Sequence, residues 1–234
     1  MTVLLLRLAG PMQSWGSDSR FARRDTLRYP TKSGVLGLLA AADGRRRTDP
    51  LDDLAQLRFG VRIDQPGRLM SDFQTAHDWT AKKPIPMPLS TRYYLADALF
   101  VAGVEGDPDL LTTLDARLRE PKFLIFLGRR SCPTTGRVSL GLRQTSLDEA
   151  LTAEPWHAST WHRRSIKEDS LPIFVDAGAN SPGHNDIIRD EPISFDPRRR
   201  SHGWREVAQL SPVKVGTPTE SSDEVDFFTF LGGL

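Results

Sequence analysis

The sequence predicts a mixed α+β fold of the ferredoxin-like (RRM-like) type, in which strands and helices follow the order β-α-β-β-α-β. Apolar runs suited to strands begin at residues 3, 57 and 98, and two stretches with helical periodicity alternate with them. A stretch with four prolines, 64–96, separates the second strand from the third. Right-handed crossovers between such elements build a four-stranded antiparallel sheet with both helices on one face.

The strands differ in their apolar patterns. Residues 3–8 are almost all apolar, which is typical of a strand covered on both faces. In residues 57–63, apolar side chains alternate with arginine and glycine, which indicates a strand with one buried face. Two further apolar runs, 98–104 and 123–127, are predicted as the third and fourth strands.

Both helices carry recognisable ends. The first begins after Pro30, with Thr31 and Ser33 as N-cap residue types, and ends near Gly44, a residue suited to the position after a helix. The second begins at Asp107-Pro108, which combines an N-cap aspartate with a proline in the first turn. The buried stripe of this second helix consists of Leu110, Leu111, Leu114 and Leu118.

The chain is predicted to comprise a sheet domain, residues 1–133, which includes a protruding β-hairpin at 64–97, and a β-rich C-terminal extension, 134–234, that packs on it. A loop as long as 64–96 is usually functional or mobile. In the extension we expect a short helix at 146–153, strands at 173–176, 193–195 and 207–215, and a flexible loop at 177–190. The acidic tail carries Phe227, Phe228 and Phe230, which predicts docking on this chain or on a partner.

Composition narrows the class of protein. The single cysteine, Cys132, excludes an internal disulfide and fits the reducing cytoplasm. No apolar run has the length of a bilayer, so no membrane association is expected. The net charge of +1 does not by itself indicate nucleic acid, but residues 1–62 hold eleven basic and six acidic residues, a local balance of +5.

The start of the first helix is the first candidate site. Lys32, Ser33 and Gly34 lie in the first turn, where free N–H groups attract anions, and Arg24 and Arg28 precede them. This pattern predicts a seat for a phosphate backbone. The alternative interpretation is a capped core helix beside a solvated basic loop.

Two further loops are candidates for the same surface. Gly128 begins a turn in which Arg129, Arg130 and Ser131 are suited to bidentate phosphate contacts; the alternative is a solvated surface turn. Gln13 and Trp15 are suited to bonding and stacking an unpaired base, and the alternative is a tryptophan that plugs the end of the sheet.

The hairpin supplies a third group of candidates, which mixes rings with cations and suits splayed bases. Self-packing of the hairpin is the alternative explanation for some of these rings. The group consists of His77, Trp79, Lys82, Lys83, Arg92, Tyr93 and Tyr94.

The sequence does not predict an enzyme. It contains no P-loop or dinucleotide motif and no ligand set for zinc, so we expect no catalytic residue, metal or cofactor. Cys132 precedes a proline and has no evident base, which favours a structural thiol. A metal-independent endoribonuclease using His77, Tyr93 or Tyr94 with Lys82 stays open as an alternative.

Several long blocks of the chain resemble a known family. LRLAGPMQSWG at 6–16, PTKSGVLGLL at 30–39 and LGRRSCP at 127–133 resemble the signatures of the CasD family, the family-5 CRISPR-associated subunits of type I-E Cascade complexes. FDPRRR at 195–200 is also similar to that family. The hairpin and the acidic tail do not match closely enough to transfer residues.

The resemblance implies a ferredoxin-like palm with a hairpin thumb that binds the 5′ handle of a mature CRISPR RNA. The implied partners are the CasC backbone subunit and the large CasA subunit, with target DNA contacted only through the complex. RNA cleavage in this subtype is assigned to CasE. A relative in another subtype does cleave, so the endoribonuclease and a protein-docking scaffold without RNA contact are the alternatives.

Overall fold

A computed structural model describes residues 1–16, 23–80, 83–87, 89–166, 168–178 and 185–216. The helices are α1 (Lys32–Asp43), α2 (Asp52–Ala55), α3 (Pro108–Arg119), α4 (Leu147–Ala153) and α5 (Thr160–Ser165). The first nine strands are β1 (Thr2–Ala9), β2 (Met12–Gln13), β3 (Arg23–Arg24), β4 (Arg58–Gln65), β5 (Arg68–Gln74), β6 (His77–Asp78), β7 (Ile85–Pro86), β8 (Ser90–Ala96) and β9 (Leu99–Gly106). The later strands are β10 (Ser139–Arg143), β11 (Glu168–Asp176), β12 (Asp186–Ser194) and β13 (Ser201–Gly216).

One seven-stranded sheet organises the chain. Its order is β10-β1-β9-β4-β11-β13-β12, and every neighbouring pair is antiparallel. Strands from both predicted parts of the chain, 1–133 and 134–234, join in this sheet. The mixed α+β class is confirmed. No helix in the described ranges is long and apolar enough to cross a membrane.

Helices cover both faces of the sheet. On one face, α1 and α3 pack together over Leu4, Leu6 and Leu8 of β1. On the other, α4 packs on a second cluster that includes Val3 and Leu5. Alternate side chains of β1 therefore enter different cores, which confirms that its unbroken apolar run reflects burial on both faces.

The predicted caps of both long helices are confirmed. The Thr31 side chain accepts a hydrogen bond from the Gly34 amide, and Gly44 follows α1 with φ +85°, a left-handed conformation that glycine adopts without strain. The Asp107 carboxylate accepts from the Leu110 amide (2.9 Å) at the start of α3. Local cap chemistry therefore sets where these helices begin and end.

The prediction of a strand at 123–127 is wrong. The Lys122 and Phe123 amides donate to the Ala42 and Ala41 carbonyls, so this segment covers the C-terminal end of α1. Its side chains also do not form a buried strand, since Leu124 is 79% exposed. The strand that follows α3 and pairs with β1 is β10, whose residues lie further along the chain.

The hairpin predicted at 64–96 is confirmed as an antiparallel pair, β5 with β8, from Arg68↔Ala96 to Gln74↔Ser90. Strands β2 and β3 join the other edge of β8 and complete a four-stranded sheet, while β6 and β7 pair nearer the hairpin tip. The hairpin exposes several large apolar side chains: Leu69, Phe73, Trp79, Ile85, Met87 and Leu89.

The second half of the chain extends the main sheet. The predicted helix at 146–153 is confirmed as α4, and the strands predicted at 173–176, 193–195 and 207–215 correspond to parts of β11, β12 and β13. The flexible loop predicted at 177–190 is wrong for its last part, because β12 begins at Asp186; residues 179–184 lie outside the described ranges. The tail from 217 onward lies outside them too.

Strand β12 ends the sheet, and its pairing with β13 is interrupted twice. The register shifts between Ile188 and Glu191 and again between Pro192 and Ser194. Such irregularities break the ladder of backbone hydrogen bonds along an edge strand. The free edge of this sheet is therefore discontinuous.

A fully buried ion pair on β4 connects this strand to α4 and the residues after it. Arg62 and Asp64 are both 0% exposed and lie 2.7 Å apart. The Arg62 guanidinium also donates to the carbonyls of Leu151 and Glu154 (2.6 Å each), and Asp64 accepts from the His157 amide (2.7 Å). The pair thus forms hydrogen bonds with backbone groups in the last turn of α4 and in the residues just after it.

Replacement of Asp64 by alanine should leave the buried Arg62 guanidinium without its carboxylate. Breaking such a pair from one side costs about 3–5 kcal/mol of unfolding free energy. Urea denaturation of Asp64→Ala measures this loss. Arg119→Ala, which removes an exposed ion pair with Asp115, serves as control and should cost about 0.5 kcal/mol or less. Equal losses in the two variants would contradict the assignment.

Candidate nucleic-acid interface

Three loops meet at one rim of the molecule, which we call the rim and define as residues 12–16, 23–28 and 127–133. The Ser14 amide donates to the Leu127 carbonyl (3.1 Å), and the Leu27 amide donates to the Trp15 carbonyl (2.7 Å). The Ser14 hydroxyl donates to the Tyr93 carbonyl (3.0 Å), which joins the rim to β8 of the hairpin. The rim therefore consists of segments that are distant in sequence.

Gln13 and Trp15 lie inside the rim, where they are 0% and 1% exposed. The Gln13 amide group donates to the Leu8 and Ala98 carbonyls, and its oxygen accepts from the Trp15 indole (3.1 Å). The prediction that these side chains bond and stack an unpaired base is wrong, because neither can reach a ligand. The alternative, a tryptophan that plugs the end of the sheet, fits the burial.

Gly128 brings the third loop against the first. Its φ is +86°, and a Cβ atom at this position would lie 1.8 Å from the Ser14 carbonyl oxygen. Only glycine adopts this positive φ without strain and has no Cβ atom that would clash with Ser14. The residues after Gly128 are thereby placed beside the segment 23–28.

Arg129 is bound within the chain. Its guanidinium donates to the Tyr93 carbonyl (3.2 Å) and to the Arg24 carbonyl (2.8 Å), and it lies 4.9 Å from the centre of the Tyr94 ring. Both terminal nitrogens of the guanidinium thus donate to backbone carbonyls. Arg129 holds the three loops together, whereas Arg130 and Ser131 are exposed.

The start of α1 is closed by carboxylates, so the predicted phosphate seat at Lys32, Ser33 and Gly34 is wrong. Lys32 is 5% exposed, and its ammonium lies 3.1 Å from Asp176 and 2.9 Å from Glu191. The Lys32 amide donates to Asp190 (2.8 Å), the Gly34 amide donates to Thr31, and Ser33 is buried. The anions that the helix start attracts come from β11 and β12 of the same chain.

Arg205 completes this group, which we call the ionic cluster: Lys32, Asp176, Asp190, Glu191 and Arg205. The Arg205 guanidinium makes a bidentate pair with Asp190 (2.8 Å for each bond) and contacts Asp176 (2.7 Å). Burial lowers the pKa of Arg205, but the hydrogen bonds and charge of Asp190 outweigh it and raise the pKa overall. Burial also raises the pKa of Glu191, although Lys32 opposes this shift.

Four arginines remain exposed on or beside the rim: Arg23, Arg24, Arg28 and Arg130. Strand β3 places Arg23 and Arg24 parallel to β8, opposite Thr91 and Arg92. The Arg23 guanidinium lies 5.0 Å from the centre of the Tyr93 ring. The rim and the neighbouring Tyr93 thus combine cations with an aromatic ring, a combination that suits phosphates and bases.

The other predicted hairpin residues are spread along its length. His77 is exposed on β6, and its ring centre lies 6.2 Å from that of Trp79. Arg92 and Tyr93 are half-buried on β8 beside the rim, and Tyr94 is 2% exposed. Lys82 lies outside the described ranges. The hairpin therefore places Arg92 and Tyr93 next to the rim, while His77 lies on the outer part of the hairpin.

Cys132 is 0% exposed in the same turn. Burial raises the pKa of its thiol, and a hydrogen-bonding distance of 3.9 Å to the Ser131 hydroxyl opposes this only in part. A buried, protonated thiol is a poor nucleophile. This environment fits the structural thiol predicted for this residue.

The fold and the rim define a mixed α+β protein with a basic, aromatic surface of the kind found in nucleic-acid-binding proteins. Residues 3–208 match the model of a family described as CRISPR-associated protein (Cas_Cas5). The chain is 37% identical over 222 residues to the CRISPR system Cascade subunit CasD of Escherichia coli (strain K12), a match that covers 86% of this chain and 93% of that protein. The chain therefore belongs to the Cas5 family and is a homologue of a Cascade subunit.

Two solved structures are similar. A chain of a structure titled CRISPR RNA-guided surveillance complex matches with a TM-score of 0.74 and 33% identity, over 92% of this chain and 91% of that chain. A structure titled Crystal structure of Cas protein matches with a TM-score of 0.68 and 37% identity, over 89% of this chain and 94% of that chain. These likenesses extend over both halves of the chain.

Substitution of Gly128 has two costs, the strain of a positive φ and a clash with the Ser14 carbonyl, and a second glycine allows them to be separated. Gly136 also has a positive φ (+72°), but a Cβ there would meet only the Arg7 side chain, at 3.7 Å. We expect Gly136→Ala to lose about 1–2 kcal/mol of unfolding free energy. Gly128→Ala should lose clearly more, because it adds a backbone clash. Urea denaturation compares the two, and equal losses would contradict the stated role of Gly128.

The raised pKa of Glu191 predicts a pH-dependent stability. The folded chain binds the proton more tightly than the unfolded chain, so this carboxyl stabilises the fold fully below its ordinary pKa of 4.5 and less as the pH rises through the folded-state pKa. The unfolding free energy of the wild type, relative to Glu191→Gln, should therefore decrease from pH 4.5 toward neutrality. Glu206→Gln, at an exposed position of β13, controls for the loss of one carboxylate. A difference that grows with pH would contradict the assignment.

Proposed function

We propose that this chain is a non-catalytic CRISPR RNA-binding subunit of a type I-E Cascade surveillance complex in the cytoplasm. It holds the 5′ handle of the CRISPR RNA and caps the backbone filament in antiviral defence. The observation that carries the proposal is the rim, where exposed arginines lie on neighbouring loops and one of them, Arg23, packs on the Tyr93 ring, in a homologue of CasD. A basic surface beside an aromatic ring is suited to a short single-stranded RNA end.

The proposal includes a ferredoxin-like palm. Four strands support it, since β10, β1, β9 and β4 are neighbours in this order and all pairs are antiparallel. Helices α1 and α3 follow the first and third of the chain-ordered strands and share one face of the sheet. This is the order expected for a split β-α-β fold, with β10 in place of the strand predicted at 123–127.

Within the rim we assign two kinds of role. Arg24, Arg28, Arg130 and the Ser131 hydroxyl contact RNA phosphates, because these groups are exposed on neighbouring loops. Arg129, Gln13 and Trp15 position those loops without touching RNA, since their polar atoms are bonded within the chain. Arg92 and Tyr93 lie where the RNA leaves the rim for the hairpin.

The hairpin acts in this proposal as a thumb against the CasC backbone subunit, and a large subunit, CasA, lies next to the handle. The exposed apolar side chains of the hairpin, such as Phe73 (64%) and Trp79 (77%), support a contact with a partner, because such residues seldom form an exposed patch without one. His77 beside Trp79 reaches a displaced nucleotide. Target DNA is contacted through the guide and the complex.

An endoribonuclease function is less well supported by the geometry. The Tyr94 hydroxyl belongs to a residue that is 2% exposed, and the Tyr93 ring is covered by Arg23. His77 lies on β6, which pairs with β7 and not with the strand β8 that carries these tyrosines. A general base and acid must both reach the proton that they transfer. The scaffold alternative, without RNA contact, is separated by the binding experiments below.

Phosphate contacts should make RNA binding depend on salt. We expect the affinity of Arg24→Ala/Arg130→Ala for repeat RNA to fall, and the slope of log affinity against log salt to become shallower by about 1.4, because each single-stranded phosphate contact contributes about 0.7. Filter binding over a salt series measures both. Arg47→Ala, at an exposed position beyond the other end of α1, should change neither. Unchanged slopes in all variants would favour a scaffold without RNA contact.

The absence of catalysis is tested separately. Purified protein incubated with end-labelled repeat RNA in EDTA should bind the RNA and leave it intact. His77→Ala should show the same full-length product. A cleaved product with the wild type that is lost in His77→Ala would overturn the non-catalytic proposal in favour of a metal-independent nuclease.

A further inference from the structure

A pocket of about 410 Å³ lies between the segment 27–29 and the outer strands β12 and β13. One wall consists of Leu27, Arg28 and Tyr29, and the other consists of residues 187–189 and Trp204. No residue of the second wall was singled out from the sequence. The volume falls within the range of about 300–1,000 Å³ that is usual for small-ligand sites.

Trp204 is the most accessible ring of this pocket. The residue is 68% exposed, although an indole of this size usually packs against other parts of its own chain. The Arg189 guanidinium lies 5.8 Å from the ring centre and donates to the His202 carbonyl (3.2 Å), which holds it beside the indole. A planar ligand can stack on such an indole and on the guanidinium next to it.

The charge of the pocket favours an anionic ligand. Arg28 and Arg189 are both exposed at its walls, and no acidic residue is among those that line it. Among the neighbouring carboxylates, Asp190 is paired with Arg205 inside the ionic cluster. Glu206 pairs with Ile187 and lies two residues from Trp204 on β13, so it shares the face of the pocket. It accepts from the Asn185 side chain (3.4 Å), and the two arginines at the walls leave the positive charge in excess.

The pocket is continuous with the rim. Arg28 belongs to both, and the segment 23–28 leads from the exposed arginines of β3 to the pocket wall. Six extended residues span at most about 20 Å, so an RNA on the rim needs only a short path to reach Trp204. An apolar protein segment would form no hydrogen bonds or ion pairs with Arg28 and Arg189 at the walls.

We infer that this pocket receives one unpaired nucleobase of the bound RNA, stacked on Trp204, while the adjacent phosphate contacts Arg28 or Arg189. The inference rests on the proposed function and adds to it a base-binding site formed by β12 and β13. Stacking is tolerant of base identity, so we expect the pocket to accept any unpaired base and to have little sequence preference.

A double-mutant cycle with RNA lacking single bases tests this site. In synthetic repeat RNA, one base at a time is replaced by an abasic residue, and binding is measured with the wild type, Trp204→Leu and Trp204→Phe. Trp204→Leu should weaken binding of intact RNA by about 5- to 150-fold, and Trp204→Phe clearly less, because phenylalanine still stacks. At one position, base removal should weaken the wild type but leave Trp204→Leu unaffected.

The outcomes separate this inference from the function on which it rests. If the wild type binds RNA but no abasic position is coupled to Trp204, the pocket assignment fails and the proposed function stands. If the wild type binds no RNA at all, both fail. If Trp204→Leu binds RNA normally but enters the Cascade complex poorly, the pocket is a protein-docking surface and the inference is overturned. Since Trp204 is exposed, both variants should unfold at the wild-type urea concentration, which verifies that they are folded.

Discussion

The ionic cluster at the start of α1 is the constraint on which the arrangement of the chain depends. Strands β11, β12 and β13 supply three carboxylates and Arg205, and α1 supplies the Lys32 ammonium and the Lys32 amide, which donates to Asp190. Each charge is buried or half-buried, so each would be costly if its partners moved away. The C-terminal strands therefore cannot shift relative to the first helix without exposing unpaired charge to a poorly solvated interior.

This constraint also withdraws Lys32 and Arg205 from solvent. Because the cluster neutralises Lys32, the exposed positive charge of the rim lies on Arg24, Arg28 and Arg130 instead. Arg129 is likewise occupied by backbone carbonyls. Residues that look equivalent in a basic sequence thus divide into those that hold the loops together and those that are free to meet a ligand.

Local patterns account for most of what the sequence could predict. The caps at Thr31 and Asp107, the buried run of β1 and the hairpin pairing follow from neighbouring residues, and they are confirmed. The roles of Lys32 and of residues 123–127 depend on groups more than 70 residues away, Asp176 and the end of α1. Trp204 and Arg189 carry no motif, and only pairing of β12 with β13 brings them together.

The interrupted pairing of β12 has a consequence for the chain before it meets any partner. An outer strand with regularly spaced amides and carbonyls is a template on which an identical copy can add, and repeated addition leads to fibrils. Here β12 has two shifts of register, and Pro192 has no amide hydrogen. The regularly spaced hydrogen-bonding groups that such a template needs are therefore interrupted. Self-association of this chain through that edge is therefore disfavoured.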